Sequence, residues 1–71
     1  MTEMVYVNST NIEQLGYEND ASELSVIFKN NPVRYVYLNV PSQVYQDLIN
    51  AVSIGSFFNR EIKDIYSFEK R

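Results

Sequence analysis

Tyr35-Val36-Tyr37, followed almost at once by Val40-Pro41, constrains this chain more than any other feature. Two tyrosines alternating about a valine suit a β-strand. A proline that close behind suits the first turn of a helix, where its missing N–H costs nothing. A strand-to-helix junction therefore sits at the centre of the fold, and the segments on either side can be read outward from it.

Three strands follow from alternation and punctuation: Ile12 to Glu18, Glu23 to Phe28, and Val33 to Leu38. Asn19-Asp20-Ala21-Ser22 and Lys29-Asn30-Asn31-Pro32 join them with residues that accept left-handed backbone, or that cannot sit within a hydrogen-bonded ladder. With Glu18 opposite Glu23, Tyr17 meets Leu24 and Leu15 meets Val26. With Phe28 opposite Val33, Val26 meets Tyr35 and Leu24 meets Tyr37. Cross-strand partners share a face, so Leu15, Tyr17, Leu24, Val26, Phe28, Val33, Tyr35 and Tyr37 form one apolar side. A single bulge would turn the third strand over.

After Pro41, the residues Val44, Tyr45, Leu48, Ile49 and Val52 recur at helical spacing, ending near Ala51. Ser53 or Ser56 can cap a second helix, whose stripe is Phe58, Ile62, Ile65 and Tyr66. The expected fold is α+β: a three-stranded antiparallel meander followed by two helices on one sheet face, in the order βββαα. Leu24, Val26, Phe28, Tyr45, Leu48, Phe58 and Ile62 should all be buried. Residues 1–71 read as one domain with a core of about 7–66, and the first few residues and Glu69-Lys70-Arg71 read as fraying ends.

A chain of 71 residues buries only roughly 60% of its unfolded surface, and small folds are often stapled. With no cysteine and no histidine, disulfides, thiolate metal sites and the commonest zinc ligand are all excluded. Six tyrosines and four phenylalanines must carry the core, which is enough apolar surface to allow a homodimer. There is no membrane-length apolar run and no signal-like opening, and a cytoplasmic location fits the lack of cysteine. No residue pattern points to catalysis: the usual neutral-pH base and the strongest nucleophile are missing, the carboxylates are scattered, and no glycine-rich phosphate loop is present. No metal or other cofactor is implied.

The net charge of −3 opposes general attraction to phosphate. Its distribution is uneven. Glu3, Glu13, Glu18, Asp20 and Glu23 precede every basic residue, so the chain from Lys29 onward is mildly basic, at a net +2.

Three groups of residues have functional readings. Tyr35 and Tyr37 suit stacking against bases, although the register places them beneath the helices and favours a structural role. Ile27, Val36 and Leu38 fall on the opposite sheet face, either as an exposed apolar patch for a protein partner or beneath the segment Met4-Val5-Tyr6-Val7. Phe57, Asn59, Arg60 and Lys63, with Arg34, suit contact with nucleic acid, but Glu61 and Asp64 interrupt the charge and fit an ordinary solvated helix face.

Tyr35-Val36-Tyr37, Val40-Pro41, Val44-Tyr45, Leu48, Ala51, Ser53, Gly55 and Phe57-Phe58-Asn59, with Ser9, Ile12 and Gly16-Tyr17 upstream, together resemble the KTSC domain family. That family is a small module found at the C-terminus of some lysyl-tRNA synthetases and free-standing in bacteria and phages. The resemblance covers about Val7 to Tyr66 and implies an accessory or RNA-binding role. Ile54 and Ser56 stand where related sequences often carry Lys or Arg, and Asp64 and Glu69 add opposing charge, which weakens direct transfer of RNA binding. Two classes of function fit, and the features of the chain favour the first over the second. Acidity, size and the apolar patch favour a non-catalytic protein-binding accessory or inhibitory protein of phage or mobile-element type. Family association and the aromatics near Arg34, Arg60 and Lys63 favour binding of RNA or single-stranded nucleic acid.

Overall fold

The computed structural model describes residues 3–71. In chain order the elements are β1 (Met4–Tyr6), β2 (Ile12–Glu18), β3 (Glu23–Phe28), β4 (Asn31–Tyr37), α1 (Ser42–Ile49), α2 (Ile54–Glu61) and β5 (Phe68–Lys70). The strands form one antiparallel sheet in the order β1-β2-β3-β4-β5. The fold is α+β with two helices, but the meander has four strands and a fifth strand returns beside β4 after the helices. The three-stranded expectation is corrected at both edges. Met4–Tyr6 pairs with β2 in the plane of the sheet and does not lie over it. The C-terminal residues expected to fray instead form β5, with Tyr37 opposite Phe68 and Tyr35 opposite Lys70.

The central register is the one the loops dictate: Glu18 faces Glu23, Tyr17 faces Leu24, Leu15 faces Val26, Val26 faces Tyr35 and Leu24 faces Tyr37. The four-residue first turn closes with Ser22 in the left-handed region (φ 54°), and the second turn closes with Asn30 there (φ 63°). The register differs at one pair. Phe28 faces Asn31, not Val33, because the ladder shifts beyond Ile27–Arg34. This irregularity lies at the end of the hairpin and leaves the facing of Tyr35 and Tyr37 unchanged. A second shift, between Ile12 and Gln14, lets both Ile12 and Leu15 reach the core although their spacing is odd.

The helices lie on the face that carries Leu15, Leu24, Val26 and Tyr37, and these side chains pack with Ile12, Val40, Leu48, Phe58 and Ile62. Of the seven expected core residues, Leu24, Val26, Leu48, Phe58 and Ile62 are fully buried, whereas Phe28 and Tyr45 are half-buried at the edges of the helical layer. Tyr45 is held there by stacking on Tyr17, with ring centroids 5.2 Å apart. Pro41 takes the N-cap position of α1, one residue before the first helical turn, with extended backbone. Ser53 caps α2 by accepting from the Ser56 N–H at 3.3 Å. Val52 and Ile65, assigned to the helical stripes from their spacing, are exposed because each lies outside its helix in a connecting turn.

The other sheet face carries Gln14, Gly16, Ser25, Ile27, Arg34, Val36 and Glu69, as the pairings require. Val36 is only 1% exposed, so the expected apolar patch is corrected at its centre; Ile27 and Leu38 are half-buried. Arg71 forms ion pairs on this face. Arg71 donates from Nη1 and Nη2 to the two carboxylate oxygens of Glu23 at 3.1 Å each, and from Nη2 to Glu69 at 2.8 Å. Glu23 belongs to β3 and Arg71 follows β5, so this bidentate pair crosses β4 on the side that holds Val36. The aliphatic stem of an arginine can shield apolar surface while its head stays paired.

Candidate aromatic cleft

The helices cover the centre of the sheet and leave the β4–β5 side open. A cleft of about 350 Å³ forms there, between the end of α2 and the last two strands. Its walls are Phe28, Tyr35, Tyr37, Phe58 and Phe68. The strand register explains the convergence: Tyr35 and Tyr37 are two residues apart on β4, and antiparallel pairing sets Phe68 directly beside Tyr37 on the same face. The rings are close and mostly inclined to one another. Phe28 meets Tyr35 edge-on at 5.4 Å and Phe58 at 5.6 Å, Tyr37 meets Phe58 edge-on at 5.3 Å, and Phe68 tilts against Tyr35 and Tyr37 at 5.5 and 5.3 Å. Phe68 remains 47% exposed, so its outer face is free to meet a ligand.

Polar groups line the remainder of the cleft. Asn59 lies on α2, Lys63 and Asp64 lie just beyond its end, and Asn11 projects from the loop before β2. Asn11 is set by a local turn in which the Ser9 hydroxyl donates to its Oδ1 at 3.0 Å and accepts from the Ile12 N–H at 3.3 Å. Gly55 lies close to this loop: a Cβ there would come within 2.5 Å of the Asn11 Oδ1, so a larger residue would have to displace that side chain. Lys70 stands over the Tyr35 ring, its ammonium 5.8 Å from the centroid.

Tyr37 is the deepest polar group in the cleft. It is 4% exposed, and no buried side-chain oxygen or nitrogen lacks a partner among the described residues. Its hydroxyl makes no hydrogen bond among the described residues, so it opens into the cleft. Burial first, then the neighbouring Tyr35 and Asp64, raises its pKa above the ordinary tyrosine value, so the hydroxyl stays protonated at neutral pH and can donate.

Of the sequence-derived nucleic-acid candidates, Tyr35, Tyr37, Asn59 and Lys63 come together in this cleft. Three do not. Arg34 is paired with Ile27 and faces the other side of the sheet. Phe57 and Arg60 form a pair of their own on the far side of α2, the guanidinium 5.9 Å from the ring centroid and salt-bridged to Glu61 at 3.2 Å. Phe28, Phe58 and Phe68 were not foreseen as cleft walls, nor Asn11 and Asp64 as its polar lining. The alternation Tyr66, Phe68, Lys70 against Ser67, Glu69 is a strand signal that would have revealed the Phe68 wall.

Among the described residues, no cluster of three or more acidic, histidine or cysteine side chains is placed to hold a metal ion, and no helix is long and apolar enough to cross a membrane.

Comparison with known proteins supports the assignment from several sides. Residues 8–66 match the KTSC domain. A segment of the lysine–tRNA ligase of Nostoc punctiforme is 41% identical over 59 residues, which is 83% of this chain but 10% of the ligase, so the chain spans about a tenth of that relative's length. The crystal structure of a KTSC domain protein from Yersinia pestis superposes with a TM-score of 0.94 and 32% identity, covering 100% of this chain and 99% of that one. The sequence motif, the family match and the shared architecture agree, and the chain belongs to the KTSC domain family.

Proposed function

We propose that this domain is a non-catalytic binding module whose aromatic cleft takes an unpaired base of RNA. The observation that carries the reading is the lining of the cleft: Tyr35, Tyr37 and Phe68 converge there beside Lys63, and the Tyr37 hydroxyl, unpartnered among the described residues, opens between them. Ligand sites are typically apolar concavities with a few convergent polar groups, and single-stranded RNA is recognised by splaying a base onto aromatic side chains. Lys63 and the nearby Lys70 supply local positive charge for the adjoining phosphates, while five of the nine acids lie before Lys29, in the first three strands and their loops. The similarity to part of a ligase that acts on tRNA supports the same reading. The alternative protein-binding surface loses its centre, because Val36 is buried.

The test is a fluorescence-anisotropy titration of labelled single-stranded RNA at several salt concentrations. Two lysine–phosphate contacts predict that log affinity falls against log salt with a slope of about −1.4. Phe68→Ala removes a half-exposed stacking wall and should weaken binding by roughly 1 to 3 kcal/mol. If wild type shows no saturable binding even at low salt, or if Phe68→Ala binds as tightly, the cleft does not take a base.

A further inference from the structure

The polar side chains of the cleft define more than a generic stacking site. Lys63 and Asp64 are consecutive residues just beyond α2, and both line the cleft together with Tyr37. Asp64 makes no salt bridge or hydrogen bond within the described protein, although Lys63 is its neighbour in sequence. Asp64 shares the lining of the cleft with Tyr37, and its charge adds, after burial and Tyr35, to the raised pKa of that hydroxyl. A carboxylate lining a nucleic-acid site is costly, since it repels every phosphate that passes. It becomes an asset only where the ligand presents hydrogen-bond donors to it.

Resting on the reading of the cleft as a base site, we infer that Asp64 makes it selective for guanine. Among the four RNA bases, only guanine offers two adjacent donors, N1–H and N2–H, on its pairing edge, and these match the two oxygens of an ionised carboxylate. Adenine and cytosine place an acceptor nitrogen beside their amino group, which would face a carboxylate oxygen lone pair to lone pair. Uracil offers one donor flanked by two carbonyl oxygens. The same carboxylate that weakens the site for phosphate thus rejects three bases and accepts one. The aromatic walls supply stacking to any base, and the edge contacts decide which one stays.

The experiment uses the full 71-residue chain and four labelled RNA heptamers, uridine throughout except at the central position, which is G, A, C or U. A good bidentate contact predicts that the G heptamer binds about tenfold more tightly than the other three. Asp64→Asn replaces one acceptor oxygen with a donor. Because Asp64 is exposed, the fold is retained, and this variant should lose the preference for G while keeping the weaker binding of the others. Chemical-shift changes at Tyr35, Tyr37 and Phe68 establish that the cleft is the site occupied. Equal binding of all four RNAs by wild type, or a preference for G that survives Asp64→Asn, overturns guanine selectivity and leaves base binding standing. Failure of all four overturns both. If the same resonances shift instead with an arginine-rich peptide, the cleft is a cation-binding cage for a protein partner, and the guanine assignment is wrong.

Discussion

Single side chains set both the stability and the chemistry of the cleft. Phe58 is fully buried and touches Phe28 and Tyr37, so Phe58→Ala should cost roughly 3 to 5 kcal/mol in a urea titration, much of the stability of a small domain. Phe28→Ala should cost clearly less, because Phe28 is only half-buried. At Gly55, a methyl group meets the end of a short polar side chain, not backbone, and the expected loss is about 1 kcal/mol. The contact is testable as a pair: Gly55→Ala should be destabilising alone and much less so in an Asn11→Ala background, and additive losses would show that the contact is not what demands glycine. Tyr37 makes a prediction in alkali. Its raised pKa means that the fold favours the neutral phenol, so the contribution is complete below the unfolded value of 10.0 and disappears as pH rises through the folded one. Tyr45, raised by burial, behaves in the same way. In an ultraviolet titration these two tyrosines should ionise late, and Tyr37→Phe should lose less stability than wild type above about pH 10.

At the scale of elements, legibility followed alternation and length. The strands β2, β3 and β4 have six or seven residues each, and their period-two pattern, together with the two turns, set a register that the sheet reproduces from Glu18–Glu23 to Leu24–Tyr37. β1 and β5 have three residues each, too short for periodicity to stand out, and Tyr6 and Phe68 are exposed in them. The lost strand carried the lost part of the site: without β5 the tyrosines have no Phe68 beside them and the cleft has no outer wall. The Arg71 clamp was equally hidden, because it joins residues far apart in sequence through a strand that was not expected. Arg71→Ala should loosen this edge. In hydrogen exchange, the amides of Leu38 and Arg71, which donate to Ser67 and Arg34 across the β4–β5 ladder at 2.8 Å each, should exchange faster than in wild type, while those of the β2–β3 ladder hold. Uniform protection in the variant would show that the arginine is ornamental.

For the whole molecule, the two faces of the sheet have different jobs. One holds the helices and the cleft; the other carries the Arg71 ion pairs and a buried row of small residues, Gly16, Ser25 and Val36. An aspartate at position 36 would bury a charge where a valine now fits. Val36→Asp should therefore lower stability by roughly 2 kcal/mol or more without changing the sedimentation of the folded fraction. If the substitution instead splits a dimer and leaves the monomer as stable as before, the face is an interface.

The return of β5 to the side of β4 also has a kinetic consequence. The β2–β3–β4 ribbon can zip from its two turns, but Tyr37 meets Phe68 only by closing a much longer loop, which costs more chain entropy. The cleft is then the last region to assemble and the first to come apart, and any molecule that fills it would act as the final strut, slowing the detachment of β5 far more than it changes the rest of the sheet.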